Sequence, residues 1–87
     1  MINPKIATVK AADDYQLVLT FTNAEQKVFD MKPYLTKGVF KALQDETLFK
    51  KAYVNWGTVV WNDDLDMSPD TLYLDSKFVE KLPTLPS

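Results

Sequence analysis

The chain has 87 residues, 46% hydrophobic and 25% charged, with a net charge of −2. It has no cysteine, histidine or arginine, and its ten basic residues are all lysines. That size allows one thin core and one domain, 1–87. The missing residue types remove disulfides, thiolate metal sites, a thiol nucleophile, the usual base near neutral pH and the planar fork that reads guanine edges.

An isoelectric point near 4.9 opposes phosphate neutralisation, so nucleic acid is not an expected partner. No apolar run approaches the ~18 residues of a membrane span, and the N-terminal MINPKIATVK carries no signal-peptide core. No membrane partner and a cytoplasmic location are therefore expected. Charge is unevenly placed. Residues 1–61 hold eight lysines against six acids, whereas residues 62–87 hold two lysines against six acids. The last third is an acidic patch on a nearly neutral body, a solvated face or a surface for a basic partner.

The first strand is expected within Lys5 to Ala12, where poor alternation of Ile6, Ala7 and Val9 points to a bulge or an edge position. Asp13-Asp14 forms a turn. Tyr15 to Thr22 alternates cleanly, with Tyr15, Leu17, Leu19 and Phe21 on one face, which implies a half-buried antiparallel strand. Asn23-Ala24-Glu25 closes a hairpin, with Ala24 where glycine would be preferred. Lys27 to Met31 returns as a third strand, and Pro33 opens a turn carrying Tyr34 and Leu35.

Thr36 is placed to cap a helix over Lys37 to Gln44 that turns Val39, Phe40, Ala42 and Leu43 to the sheet. Asp45 caps a second short helix anchored by Leu48 and Phe49. Ala52 to Trp61 reads as two strands around a turn at Asn55-Trp56-Gly57, the second being the β-branched run Thr58-Val59-Val60-Trp61. Phe78 and Leu82 lie four apart on a possible last helix, and residues 83–87 form a flexible tail. The order predicts an α+β fold, an antiparallel sheet of about five strands packed against two to four short helices.

Five aspartates fall within thirteen positions, Asp63 to Asp75. Asp64, Asp66, Ser68, Asp70 and Asp75 match positions one, three, five, seven and twelve of a calcium loop. That loop needs glycine at position six and a bidentate glutamate at twelve. Pro69 occupies position six, and position twelve is one methylene short, so a calcium loop is not expected. A looser divalent-cation site at Asp63, Asp64 and Asp66 stays open. Catalysis by these carboxylates would need a cleft and a raised pKa, and no serine has a base beside it. The chain is therefore not expected to be an enzyme, nor to carry a cofactor.

Ser68-Pro69-Asp70 reads better as a helix start. Ser68 is the N-cap, Pro69 takes the first helical position, and Asp70 meets the positive end of the dipole. Leu72 and Tyr73 anchor that helix, and Leu65 or Met67 supplies a staple. Trp61 is expected against Tyr73, with Asp66 or Asp70 as a hydrogen-bond partner for an aromatic tip. Asp75 would close this helix or cap the next.

Asp14-Tyr15, Phe21-Thr22-Asn23, Phe29-Asp30, Gly38-Val39-Phe40, Gly57 to Trp61, Asp64-Leu65-Asp66 and Pro69 to Tyr73 occur in this order. Together they resemble the bacterial family catalogued as domain of unknown function 2442. The resemblance covers about residues 4–75, and only Ala24 departs, since the family's hairpin usually reads Asn-Gly. It implies a small α+β cytoplasmic domain and brings no activity, cofactor or catalytic residue. The resemblance also implies a gene context, since some members are encoded beside another small protein in pairs that resemble toxin–antitoxin pairs. The expected role is a non-enzymatic protein-interaction module, antitoxin-like or regulatory. Its contact residues would be Trp61, Asp63, Asp64, Asp66 and Tyr73, its partner a basic protein, and homodimerisation is compatible. The alternative is a small-ligand or weak divalent-cation-binding domain.

Overall fold

The computed structural model describes residues 3–62 and 65–78. Among the described residues, seven strands form two antiparallel sheets, and two α-helices and several 3₁₀ turns connect them, an α+β architecture. The first sheet has the order β1-β2-β3-β7, with β1 at Ile6–Ala12, β2 at Gln16–Phe21, β3 at Gln26–Asp30 and β7 at Lys77–Phe78. The second has the order β4-β5-β6, with β4 at Tyr53–Asn55, β5 at Thr58–Asn62 and β6 at Leu65–Met67. Helix α1 spans Glu46–Phe49 and α2 spans Pro69–Asp75.

The alternation in β2 sets the register of the first sheet. Leu17, Leu19 and Phe21 are buried, and β2 lies between β1 and β3, paired Leu17↔Ala11 and Leu17↔Phe29. A one-residue slip would expose all three, so the register is strongly specified. β1 is both an edge strand and bulged between Ile6 and Thr8, which explains its weak alternation. The inner faces of both sheets contribute to one core: Leu17, Leu19, Phe21 and Phe29 from the first, Val59, Trp61, Leu65 and Met67 from the second, with Leu43, Phe49 and Leu72 between them. The Ile6 N–H donates to the Gly57 carbonyl at 2.9 Å, which ties the edge of one sheet to the hairpin of the other.

Several local expectations are corrected. Tyr15 does not begin β2: Asp14 and Tyr15 sit at φ 64° and 58°, in the left-handed region. That conformation costs about 1–2 kcal/mol per residue. Specific contacts hold it. Lys32 Nζ lies 2.7 Å from Asp14 Oδ2, the Tyr15 carbonyl accepts from Met31 N–H at 2.9 Å, and the Tyr15 hydroxyl donates to the Gln44 carbonyl. Its ring meets Phe49 edge-on at 5.2 Å.

The helix expected over Lys37 to Gln44 is a 3₁₀ segment, Gly38–Gln44, with Lys37 rather than Thr36 at its cap position and no side-chain cap. Gly38 enters at φ 47°, outside helical space, so the segment starts without a helical first turn. Its side chains accordingly face differently. Leu43 is buried, Phe40 is half-buried, and Val39 is 64% exposed with Ala42 also at the surface. Phe78 lies on β7, paired with Lys27, and not on a helix. Leu82 and the tail expected at 83–87 lie outside the described residues.

Other local signals hold. Asp45 caps α1 by accepting from Thr47 N–H at 2.9 Å. Ala24 takes φ 70° in the β2–β3 turn, the strain expected where glycine is absent. Ser68 Oγ accepts from Asp70 N–H at 3.2 Å, with Pro69 opening α2. Removing the cap in Ser68→Ala is expected to lower stability by about 1 kcal/mol, read as a lower urea midpoint with an unchanged slope.

Lys27 stands on the core-facing side of β3, opposite Leu19, and is only 6% exposed. Its ammonium donates to the Tyr73 carbonyl at 2.5 Å and sits 4.2 Å and 4.7 Å from the Tyr73 and Phe78 ring centres. The cation meets the negative end of α2 and two ring faces at once. It locks α2 and β7 onto β3.

Candidate functional site

The β4–β5 hairpin turns on two residues, Trp56 and Gly57, at φ 54° and 75°. Positive φ at both central positions is what a type I′ turn requires, and asparagine followed by glycine is its favoured sequence. Gly57 also has no room for a side chain, because a Cβ there would meet Lys5 Cβ at 2.9 Å. The aliphatic stem of Lys5 therefore lies on the turn. Trp56 takes the position that suits asparagine and is 91% exposed. No packing requirement of the fold accounts for an indole at this place.

The pairing of the second sheet decides which side chains accompany it. Val54, Val59 and Met67 form a cross-strand row, and Val59 and Met67 are buried, so this row faces the core. The alternate row, Tyr53, Val60 and Asp66, faces outward, followed by Asn55 opposite Thr58 towards the tip. Tyr53 and Asp66 are exposed and Val60 is half-buried. The outer face thus carries an apolar centre, an indole at one end and a carboxylate towards the other.

The sequence-derived candidates separate on this frame. Asp66 stands on the outer face. Trp61 points the other way, 3% exposed, with Nε1–H donating to the Phe49 carbonyl at 3.1 Å and its ring 6.5 Å from Phe40. Tyr73 is half-buried on α2, edge-on to Phe21 at 5.0 Å, and its hydroxyl donates to Glu25 Oε1 at 2.8 Å. The two rings expected to pack together have separate partners, and neither polar tip uses Asp66 or Asp70. Asp63 and Asp64 lie outside the described residues. Asp75 accepts from the Tyr34 hydroxyl at 2.9 Å, which binds the end of α2 to the turn after β3.

Among the described residues, no group of three or more acidic side chains is placed to hold a metal ion. An open cleft of about 340 Å³ is lined by Phe29, Pro33, Tyr34 and Lys37 together with Asp30, Asp75 and Lys77. Among the described residues, no helix is long and apolar enough to cross a membrane. Trp56, Tyr53, Val60 and Lys5 are the surface residues that sequence reasoning does not single out. The available signal is tryptophan in a turn dipeptide where asparagine is the norm.

Three phenols hold their protons above the usual value near 10. Tyr34 does so through its hydrogen bond to Asp75 and then burial. Tyr73 does so through its bond to Glu25 and then burial. Tyr15 is raised by burial and then by the charges of Glu46 and Asp45. Lys32 is also raised, by its bond to Asp14. Each group binds its proton more tightly when folded, so the unfolded chain loses protons first as pH rises. The stability they contribute is full below the unfolded values and is lost as pH climbs through the folded ones. Urea midpoints are therefore expected to fall above about pH 10. Tyr34→Phe and Tyr73→Phe should make that alkaline fall shallower while lowering the midpoint at pH 7.

A family model described as "Protein of unknown function (DUF2442)" matches residues 6–78. The chain belongs to that family. No curated protein and no solved structure matches it.

Proposed function

We propose that this DUF2442 member is a non-enzymatic protein-interaction module, regulatory or antitoxin-like in role. It presents the Trp56 hairpin tip and the outer face of β4-β5-β6 to a protein partner. The observation that carries this reading is Trp56 itself, 91% exposed at positive φ. An indole offers about 200 Å² of contact surface at low entropic cost, and tryptophan is the residue most enriched among binding hot spots. Retaining it on a strained turn makes sense where the indole has a partner to meet.

Tyr53 and Val60 extend the apolar surface beside it. Asp66 supplies acidic charge at the far end, suited to basic groups on the partner. Capture from a lysate of the source cells, with wild type and Trp56→Asn side by side, tests the reading. A partner recovered by wild type and lost by Trp56→Asn is expected. Equal recovery by both would remove the tip from the interface.

A further inference from the structure

We infer that the cleft beside Tyr34 binds a small zwitterion with an aromatic side chain, a free α-amino acid of the phenylalanine class. The cleft measures about 340 Å³, at the lower end of the range for small-ligand sites. Its lining comes from β3, the turn after it, the end of α2 and β7. None of it belongs to the second sheet or to the Trp56 hairpin.

The lining sets two cations, Lys37 and Lys77, beside two anions, Asp30 and Asp75. All four are exposed, yet no salt bridge joins them: among the described residues, Lys32 alone forms ion pairs. Other contacts hold them in place. Lys37 Nζ sits over the Tyr34 ring, 5.4 Å from its centre. The Tyr34 hydroxyl donates to Asp75 Oδ2 at 2.9 Å, and the Lys32 N–H donates to Asp30 Oδ1 at 2.9 Å. Lys77 is fixed at its backbone by pairing with Val28 on β3. Opposite charges are thus kept around one cleft without neutralising one another. Each carboxylate, with about four acceptor sites, retains capacity for a further donor.

Tyr34 and Phe29 add aromatic surface to the same cleft, their ring centres 5.4 Å apart and inclined by 34°. A simple anion would satisfy the lysines and face two carboxylates, and a simple cation would do the reverse. A zwitterion satisfies both, its carboxylate meeting Lys37 and Lys77 and its ammonium meeting Asp30 and Asp75. Its ring takes the aromatic surface, where offset or edge-on contact adds attraction. The ligand is small and the cleft is open, so a dissociation constant of about 1 mM is expected.

Titration of the full chain with L-phenylalanine, followed by proton–nitrogen correlation spectra, tests the assignment. Saturating shifts are expected at amides within 29–37 and 75–77, which carry the lining. Three probes each lack one group: 3-phenylpropionate the ammonium, phenethylamine the carboxylate, and alanine the ring. Each should bind at least about tenfold more weakly than phenylalanine. Asp30→Asn keeps an acceptor for Lys32 N–H. It should weaken phenylalanine binding by about tenfold and strengthen 3-phenylpropionate binding, since one charge that repels the anion is gone. Lys77→Gln should weaken phenylalanine binding and strengthen phenethylamine binding for the converse reason. Opposite signs for two ligands on one variant separate a charge in the site from a loss of structure. Absence of shifts at about 10 mM phenylalanine overturns the site. A 3-phenylpropionate or phenethylamine affinity equal to that of phenylalanine overturns the zwitterion. Changes of the same sign for both ligands on Asp30→Asn remove Asp30 from the site.

Discussion

Trp61→Ala is expected to lower the unfolding free energy by about 3–5 kcal/mol, the range for removing a buried large aromatic. For an 87-residue chain at about 0.05–0.15 kcal/mol per residue, total stability is roughly 4–13 kcal/mol. The substitution therefore removes from about a quarter to all of that stability. Two effects add. The indole fills the space between β5 and the 3₁₀ segment, against Phe40, and its loss opens a cavity. The Phe49 carbonyl loses the indole donor at the point where α1 meets the second sheet and keeps only the 3.4 Å bond from Ala52 N–H, a loss of about 0.5–1.5 kcal/mol. Trp61→Phe separates these contributions, since it keeps most of the apolar volume and loses the hydrogen bond. Urea unfolding followed by far-UV circular dichroism checks both variants.

Trp56→Asn carries the second large effect, and its sign on stability is opposite. Asparagine accepts positive φ more readily than tryptophan and is the preferred first residue of a type I′ turn. The fold should lose nothing and gain up to about 1 kcal/mol. Binding should lose at least about 2 kcal/mol, or about 30-fold, as for an interface hot spot. The two tryptophans thus divide the work: one is held by the core and leaves the surface bare, the other is offered at the surface and leaves the core untouched. A titration calorimetry or sedimentation measurement of binding, beside the urea midpoint of the same variant, reads both signs.

Local chemistry is legible in the sequence where it rests on few residues. Ser68-Pro69-Asp70 and Asp45 cap their helices as read, because the bonds they make span two residues and depend on nothing distant. The alternation of Leu17, Leu19 and Phe21 places β2, and the bulged edge of β1 follows from a pattern that fails to alternate. Length limits the rest. β6 has three residues and β7 has two, too few to show a period of two, and both exist through pairing with distant strands. The 3₁₀ segment escapes because apolar spacing alone does not report the positive φ at Gly38 that spoils a helical first turn.

The candidate site is legible in part for the same reason. Asp66 is on the outer face, but which face of β5 is outer depends on the core, and only the packing of Val59 and Trp61 reveals it. Trp61 and Tyr73 look alike in sequence to ligand-facing aromatics beside an acidic turn. Their hydrogen bonds to Phe49 and Glu25, twelve and forty-eight residues away, are set by tertiary contacts that no local window contains. Trp56 lies in a turn the sequence does indicate. What the sequence leaves open is that no other element among the described residues covers it.

The account's central claim is that the Trp56 tip serves binding and not folding. The most direct test is quantitative partner capture by Trp56→Asn against wild type, with the variant's urea midpoint taken on the same preparation. The account predicts a midpoint equal to or above wild type together with lost capture. A lowered midpoint with capture retained would contradict it.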